Sequence, residues 1–216
     1  MAALPVVVPT EADLEFDRQV DALALTGLPA VLDLQDACFR AWLEPLRDHL
    51  PAVEETAGPG IPFVVVLPDL PVVPVLGAVH GVGGAGFTTM DPSDLAGFRP
   101  LPELDVPAAP YLLLDVDSGL DTLDVTPADV LPTLTAAGRS PLTVAEGLSV
   151  LVSDMGVLRS RNCFSLLGSR CGDKRVPALW VSGRRPRLGW CYQGAPHTWL
   201  GSASCAGRLV PPSRQV

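Results

Sequence analysis

The stretch Asn162 to Arg208, NCFSLLGSRCGDKRVPALWVSGRRPRLGWCYQGAPHTWLGSASCAGR, constrains the fold more than any other part of the chain. Cys163 to Leu167, Val176 to Val181 and Leu188 to Tyr192 are short runs rich in β-branched and aromatic residues, and tight turns separate them, so they read as strands. The last two flank SGRRPR, a hairpin connection with Gly183 and Pro186 as its expected turn residues. The same stretch holds four of the five cysteines, three of the four tryptophans and His197. Nearly all of the chain's unusual chemistry is therefore expected on or beside this sheet.

Helix signals lie earlier. Thr10 with Asp13 predicts an N-cap, followed by apolar Leu14, Val20 and Leu23 and a stop at Gly27. A second helix is expected from about Leu34 to Leu50, with Phe39, Trp42, Leu43 and Leu46 on one face and with Phe39 and Trp42 in the core. Asp91 and Pro92 open a short helix to about Phe98; Thr126, Pro127 and Asp129 open another that Gly138 ends, with a kink or early stop at Pro132. Thr143 and Glu146 form a capping-box pattern for a helix reaching about Ser153. Between these, Phe63 to Leu67 and Tyr111 to Val116 read as strands, Val72 to Val79 as an edge strand or loop cut by Pro74, and GVGGAG from Gly81 as a flexible loop. Leu50 to Gly60 has the composition of a connection. Helices early and strands late predict an α+β fold: a helical preface over 1–58 packed on a core over 59–216, its mainly antiparallel sheet formed largely by the C-terminal half, the whole being one compact domain.

Charge is divided unevenly. Residues 1–136 carry 21 of the 24 acidic groups and four of the 15 basic ones, while residues 137–216 carry 11 bases against Glu146, Asp154 and Asp173. The two parts are expected either to share ion pairs or to present arginines to an anionic small molecule. A net charge of -9 argues against a general nucleic-acid binder, which needs surplus Lys and Arg. Met1 to Pro9 lacks the basic start of a secretory signal, so a cytoplasmic location is expected. Ile61 to Phe87 is apolar but interrupted by prolines, glycines and Asp69, which argues against a membrane span.

The strings YLLLDVDSGLDTLDVTPADVLP, PLTVAEG, NCFSLLGSRCGDKRVPALWVSGRRPRLGWC and PHTWLGSASCAGR, together with EFDRQVDAL near the start, resemble an actinobacterial family of uncharacterised proteins, domain of unknown function 5701. The resemblance carries no general assigned reaction. It implies that some relatives serve in natural-product biosynthesis, where enzymes that close strained nitrogen rings by expelling sulfate look like one such use.

The residues permit several chemistries. Cys163, Cys171, Cys191, His197 and Cys205 are separated by seven, nineteen, five and seven residues with no C-x-x-C pair, so no metal is expected and the thiols read as free and reduced. Cys171, beside Arg170, Lys174 and Arg175 and with His197 as base, is the candidate nucleophile of a Cys-dependent hydrolase or transferase. The favoured reading is a carboxylate base opposite an anion clamp. Asp115 and Asp117 at the end of a strand are expected to project to opposite faces, so that one of them enters a given cleft, joined by Asp121. Ser169, Arg170, Lys174 and Arg175 would hold an anionic group, with Ser202 nearby and Trp190, Trp199 and His197 walling the pocket. This describes a cofactor-independent enzyme acting on a small polar metabolite by proton abstraction, with a companion subunit or homo-oligomer among its expected partners and neither nucleic acid nor membrane. The alternative is a non-catalytic binding subunit using the arginines of the Arg184 to Arg187 hairpin.

Overall fold

The protein was analysed as a computed structural model, which describes residues 9–51, 60–159 and 161–212. Most of Met1 to Pro9 and of the Leu50 to Gly60 connection lies outside the described residues. In chain order, α1 (Glu11–Leu25), α2 (Leu28–Val31) and α3 (Asp36–Leu43) precede β1 (Ile61–Val66), α4 (Val72–Ala78), β2 (His80–Gly81), β3 (Gly84–Ala85), β4 (Phe87–Thr88), α5 (Pro92–Gly97) and β5 (Arg99–Pro100). There follow β6 (Tyr111–Val116), α6 (Pro127–Ala136), β7 (Ser140–Pro141) and α7 (Val144–Ser153). The C-terminal part adds β8 (Cys163–Ser165), β9 (Ser169–Arg170), β10 (Arg175–Ser182), β11 (Arg185–Tyr192), β12 (Leu200–Ser202), β13 (Ser204–Cys205) and β14 (Gly207–Leu209). This is an α+β architecture.

Local signals placed most helices. Thr10 and Asp13 make the reciprocal capping box of α1, whose buried face is Ala12, Phe16, Gln19, Val20 and Leu23. Leu14, apolar like Val20 and Leu23, is instead 59% exposed, two residues out of phase with Phe16. Gly27 adopts the left-handed backbone of a cap. The second expected helix is shorter than its apolar pattern: α3 stops at Leu43 and a 3-10 turn takes over from Glu44 to His49, because Pro45 has no N–H to continue the α ladder. Phe39 is buried and Trp42 is 41% exposed, so only the first is a core residue.

Val72 to Ala78 is a helix and not the expected edge strand or loop. Pro74 falls in the first turn, where a missing N–H breaks no bond, and Val75 and Leu76 are buried behind it. Pro132 likewise fails to stop α6, which continues to Ala136.

Two sheets and one helix organise the core. The order β1-β6-β14 is antiparallel throughout, with Phe63 opposite Leu114 and Arg208 opposite Leu113. The larger sheet runs β12-β8-β10-β11-β4; β10 is antiparallel to β8 and β11, whereas β12 and β4 add as parallel edges. The β10–β11 turn is the two residues Gly183 and Arg184, both with positive φ (57° and 61°), the backbone that matches strand twist in a two-residue hairpin. Pro186 lies in β11 opposite Val181 and takes no part in that turn. The glycine-rich run is not a free loop either: β2 and β3 form a small hairpin beside the tip, where Gly83 N donates to Arg184 O at 2.9 Å.

Helix α7 is buried around most of its surface, as a helix in the middle of a core must be. Helix α1 packs against α7 and β1, and Phe16, Val20 and Leu23 belong to the same apolar cluster as Leu148 and Phe164. Gln19 contributes a polar contact to this packing. Its side-chain amide donates to Phe63 O at 2.9 Å and accepts from Val65 N at 2.8 Å, so it pairs with the edge strand β1 as a neighbouring strand would.

Candidate functional site

The acidic end of β6 leads into the loop that carries Asp117, Ser118 and Asp121. Residues two apart share a face of a regular strand, so Asp115 and Asp117 can diverge only where the strand is broken. Asp115, still within β6, departs from extended backbone with a φ of 48°. Its carboxylate accepts from Arg139 Nη1 at 2.7 Å, while Arg139 Nη2 donates to Asp115 O at 2.6 Å and Nε to Ser204 Oγ at 2.8 Å. Asp115 is thereby committed to an ion pair. Asp117 instead exchanges backbone bonds with Ser204, accepts from Gly119 N at 2.7 Å through Oδ1, and lines a hollow.

That hollow, of about 320 Å³, lies between the acidic loop and the segment after α7. Asp117, Ser118 and Asp121 line one side; Asp154, Arg159 and Asn162 line the other, over an apolar floor that includes Ile61, Val116, Leu142, Val150 and Phe164. The far wall is shaped locally. Asp154 ends α7 and accepts from Gly156 N at 2.7 Å, and Arg159 Nε donates to Gly156 O at 3.0 Å. Arg159 and Asn162 then exchange backbone bonds of 3.1 and 2.9 Å, which closes the turn into β8. Ser118 Oγ donates to Asn162 Oδ1 at 3.1 Å and ties the two walls together. Asp117 and Asp121 therefore share a hollow with a guanidinium, but it is Arg159 and not the expected clamp.

The remaining expected site residues lie elsewhere. Ser169 Oγ is buried and accepts from Val144 N at 3.1 Å, beside a second, largely apolar hollow of about 340 Å³. Arg170 spends Nη1 on Leu167 O and Ser169 O, and its burial pulls its pKa down. Lys174 is exposed. Arg175 bonds Asp94 at 3.0 Å and Asp173 at 2.8 Å, which hold it firmly charged. Trp199 packs edge-on to Trp180 with ring centroids 6.4 Å apart, and the His197 ring rests against Trp199 at 5.2 Å. Ser202 Oγ is buried 3.0 Å from Ser165 Oγ. None of these lines the hollow of Asp117. The expected grouping of Asp, clamp and Trp wall thus dissolves into separate places.

The thiols lack the setting that a nucleophile needs. Cys191 and Cys205 are buried, and burial raises each to about 11. Cys163 is raised by burial as well. Cys171 is raised by burial and by its bond to Asp173 Oδ1, to which its Sγ donates at 3.1 Å. Its neighbouring cation, Arg175, is turned to carboxylates. Among the described residues no group of three or more His, Cys, Asp or Glu side chains is placed to hold a metal ion, and no helix is long and apolar enough to cross a membrane.

A family model described as "Family of unknown function (DUF5701)" matches residues 22–211. The chain belongs to this family. The match runs from within α1 past β14, takes in the later strings that carried the resemblance but only Ala22 and Leu23 of EFDRQVDAL, and covers both walls of the hollow. No curated protein and no solved structure matches the chain.

Ser118, Asp154, Arg159 and Asn162 escaped the reading of the sequence. Asp154 and Gly156 carried a weak signal, an Asx-type turn just beyond a well-capped helix. Arg159 and Asn162 carried none, because their position depends on where β8 enters the sheet.

Proposed function

We propose that the hollow between Asp117 and Arg159 binds a small polar metabolite with an anionic group, and that the protein is an enzyme working there by proton abstraction. The observation that carries this reading is the presence of the Asp117 and Asp121 carboxylates and the Arg159 side chain around one open hollow. Oδ1 of Asp117 is held by Gly119 N, so the free oxygen is presented in a fixed direction and can accept a proton from an amine or hydroxyl. Arg159 neutralises charge on the departing group, and the Ser118–Asn162 pair orients the polar body between them.

Intramolecular displacement of sulfate by an amine is one reaction of this kind, and the family resemblance brings it forward. The nitrogen lone pair forms the new C–N bond as the C–O bond to sulfate breaks, sulfate leaves with that electron pair beside Arg159, and the proton shed by nitrogen passes to Asp117 or Asp121. No outside oxidant or co-reactant is required. Use in natural-product biosynthesis agrees with such chemistry.

The test uses 2-aminoethyl hydrogen sulfate, with sulfate release followed by ion chromatography and binding by the side-chain amide signal of Asn162. The unchanged protein should bind the probe saturably and speed sulfate release. Asp117→Asn with Asp121→Asn should lower the rate by about 100-fold or more while the fold persists, as expected for loss of a general base. Binding that leaves the Asn162 signal unmoved, or turnover that survives both substitutions, would overturn the reading.

A further inference from the structure

A third hollow, of about 350 Å³, opens on the larger sheet and is built around Arg187. In β11 this residue stands between Trp180 of β10 and Phe87 of β4, its partners in register on either side. Its guanidinium lies 5.1 Å from the Trp180 ring centroid and 5.6 Å from that of Phe87. Stacking of this kind fixes the plane of the guanidinium fork. The Trp180 ring can lie across the sheet because residue 189 is glycine: a Cβ there would run into the indole.

Arg187 is pinned and yet incompletely bonded. Nη2 donates to Thr89 Oγ1 at 2.8 Å, and Nε is buried with no hydrogen-bond partner. Two acidic residues line the same hollow. Asp94 is occupied by Arg175 at 3.0 Å, whereas Asp91 is the N-cap residue of α5 but makes no capping bond with its side chain. An aspartate at that position usually bonds its own helix; this one is left to face the hollow. Trp190, 37% exposed, also lines the hollow.

We infer that this hollow is a binding site for a small zwitterion with a flat apolar part, an aromatic α-amino acid by chemical class. The carboxylate of such a molecule meets the Nη1 and Nη2 groups of Arg187, a fixed fork that suits two carboxylate oxygens. Its ammonium meets Asp91, and its ring lies against the indoles of Trp180 and Trp190. Opposite charges held on two sides of one hollow favour a guest that carries both over a guest that carries either. The site shares no lining residue with the hollow of Asp117, so it stands or falls apart from the proposed reaction.

The full chain is titrated with L-phenylalanine, 3-phenylpropanoate and 2-phenylethylamine, following the indole N–H signals of Trp180 and Trp190. L-Phenylalanine should bind at least about tenfold more tightly than either singly charged probe. Arg187→Gln should weaken L-phenylalanine and 3-phenylpropanoate by about tenfold and leave 2-phenylethylamine unchanged, and Asp91→Asn, at an exposed position, should weaken L-phenylalanine and 2-phenylethylamine by about as much and leave 3-phenylpropanoate unchanged. Asp117→Asn should alter none of the three. Equal affinities for the three probes, no binding up to about 10 mM, or an Asp91→Asn variant that binds L-phenylalanine undiminished would each overturn the inference.

Discussion

Glu146 with Arg208, and Asp117 and Asp121 with Arg159, are assembled from the same chemical parts and do opposite things with them. Glu146 is fully buried and the Arg208 side chain is 8% exposed. One carboxylate oxygen accepts from Arg208 Nε at 2.6 Å and Tyr111 OH at 2.9 Å; the other accepts from Thr143 N at 2.7 Å and Arg208 Nη2 at 2.9 Å. The guanidinium adds bonds to Ser140 Oγ and Pro141 O. With its acceptors used, the group joins the start of α7 to β6, β7 and β14 and has nothing left for a guest. Burial and the Glu146 charge drive the Tyr111 hydroxyl well above its ordinary pKa, and although burial opposes it, the bonds from Glu146 raise Arg208. At the hollow, by contrast, Asp121 is exposed, and Asp117, half-buried, has a bond to Gly119 N on only one of its oxygens. The difference teaches that a carboxylate and an arginine mark a site only where the fold leaves their bonds incomplete.

The comparison breaks first at Arg208. Arg208→Met strands the Glu146 charge in the core and should cost about 3–5 kcal/mol in urea unfolding, whereas Arg159→Met, at an exposed position, should stay within about 0.5 kcal/mol. Equal losses would erase the distinction between staple and site. Gln19 sharpens it, being another buried polar group with both ends bonded. Gln19→Ala strips the edge strand of two partners and should cost about 1–3 kcal/mol by the same measurement. Asp115→Asn, which weakens a partly exposed pair with Arg139, should cost at most about 1 kcal/mol and leave ligand binding at the hollow intact.

A pH scan separates the two regions more gently. Cys205 and Cys191 are raised from 9.0 to about 11 in the folded chain, and Tyr111 is raised above 10.0. Groups whose pKa is higher when folded lend stability in full below the unfolded value and lose it as pH rises through the folded one. The melting temperature should therefore fall from about pH 9 to 11, and Cys205→Ala should flatten part of that slope. A scan that is flat over this range would show that the buried thiols do not resist ionisation. Smallest of all, brief treatment with iodoacetamide should modify Cys38, which is exposed, well before Cys163, Cys191 or Cys205, with no change in melting temperature.

Much of the helix content was legible because its signals are local. Thr10 with Asp13, Thr126 with Asp129 and Thr143 with Glu146 all cap as expected, each side chain reaching a backbone N–H three residues away. Phe63, Val64 and Val65, like Leu112 and Leu113, announced buried strands by composition alone. Errors arose where one local rule outweighed another. Pro74 read as a breaker although it sits in a first helical turn, and Trp42 read as core although it is 41% exposed.

The expected site failed for a different reason. The charge imbalance between the two parts of the chain was plain, but among the described residues they exchange ion pairs only at Asp115 with Arg139 and at Asp94 with Arg175. Those two pairs consumed an expected base and an expected clamp. By itself the amino-acid order settled caps, turns, strand candidates and the α+β class, since each depends on neighbours within a few positions. Which arginine meets which aspartate was decided only by tertiary structure. Coulomb attraction scarcely distinguishes one such pair from another, so the choice passes to strand register and to the entry of β8, which set Asp117 facing Arg159 and closed Glu146 around Arg208.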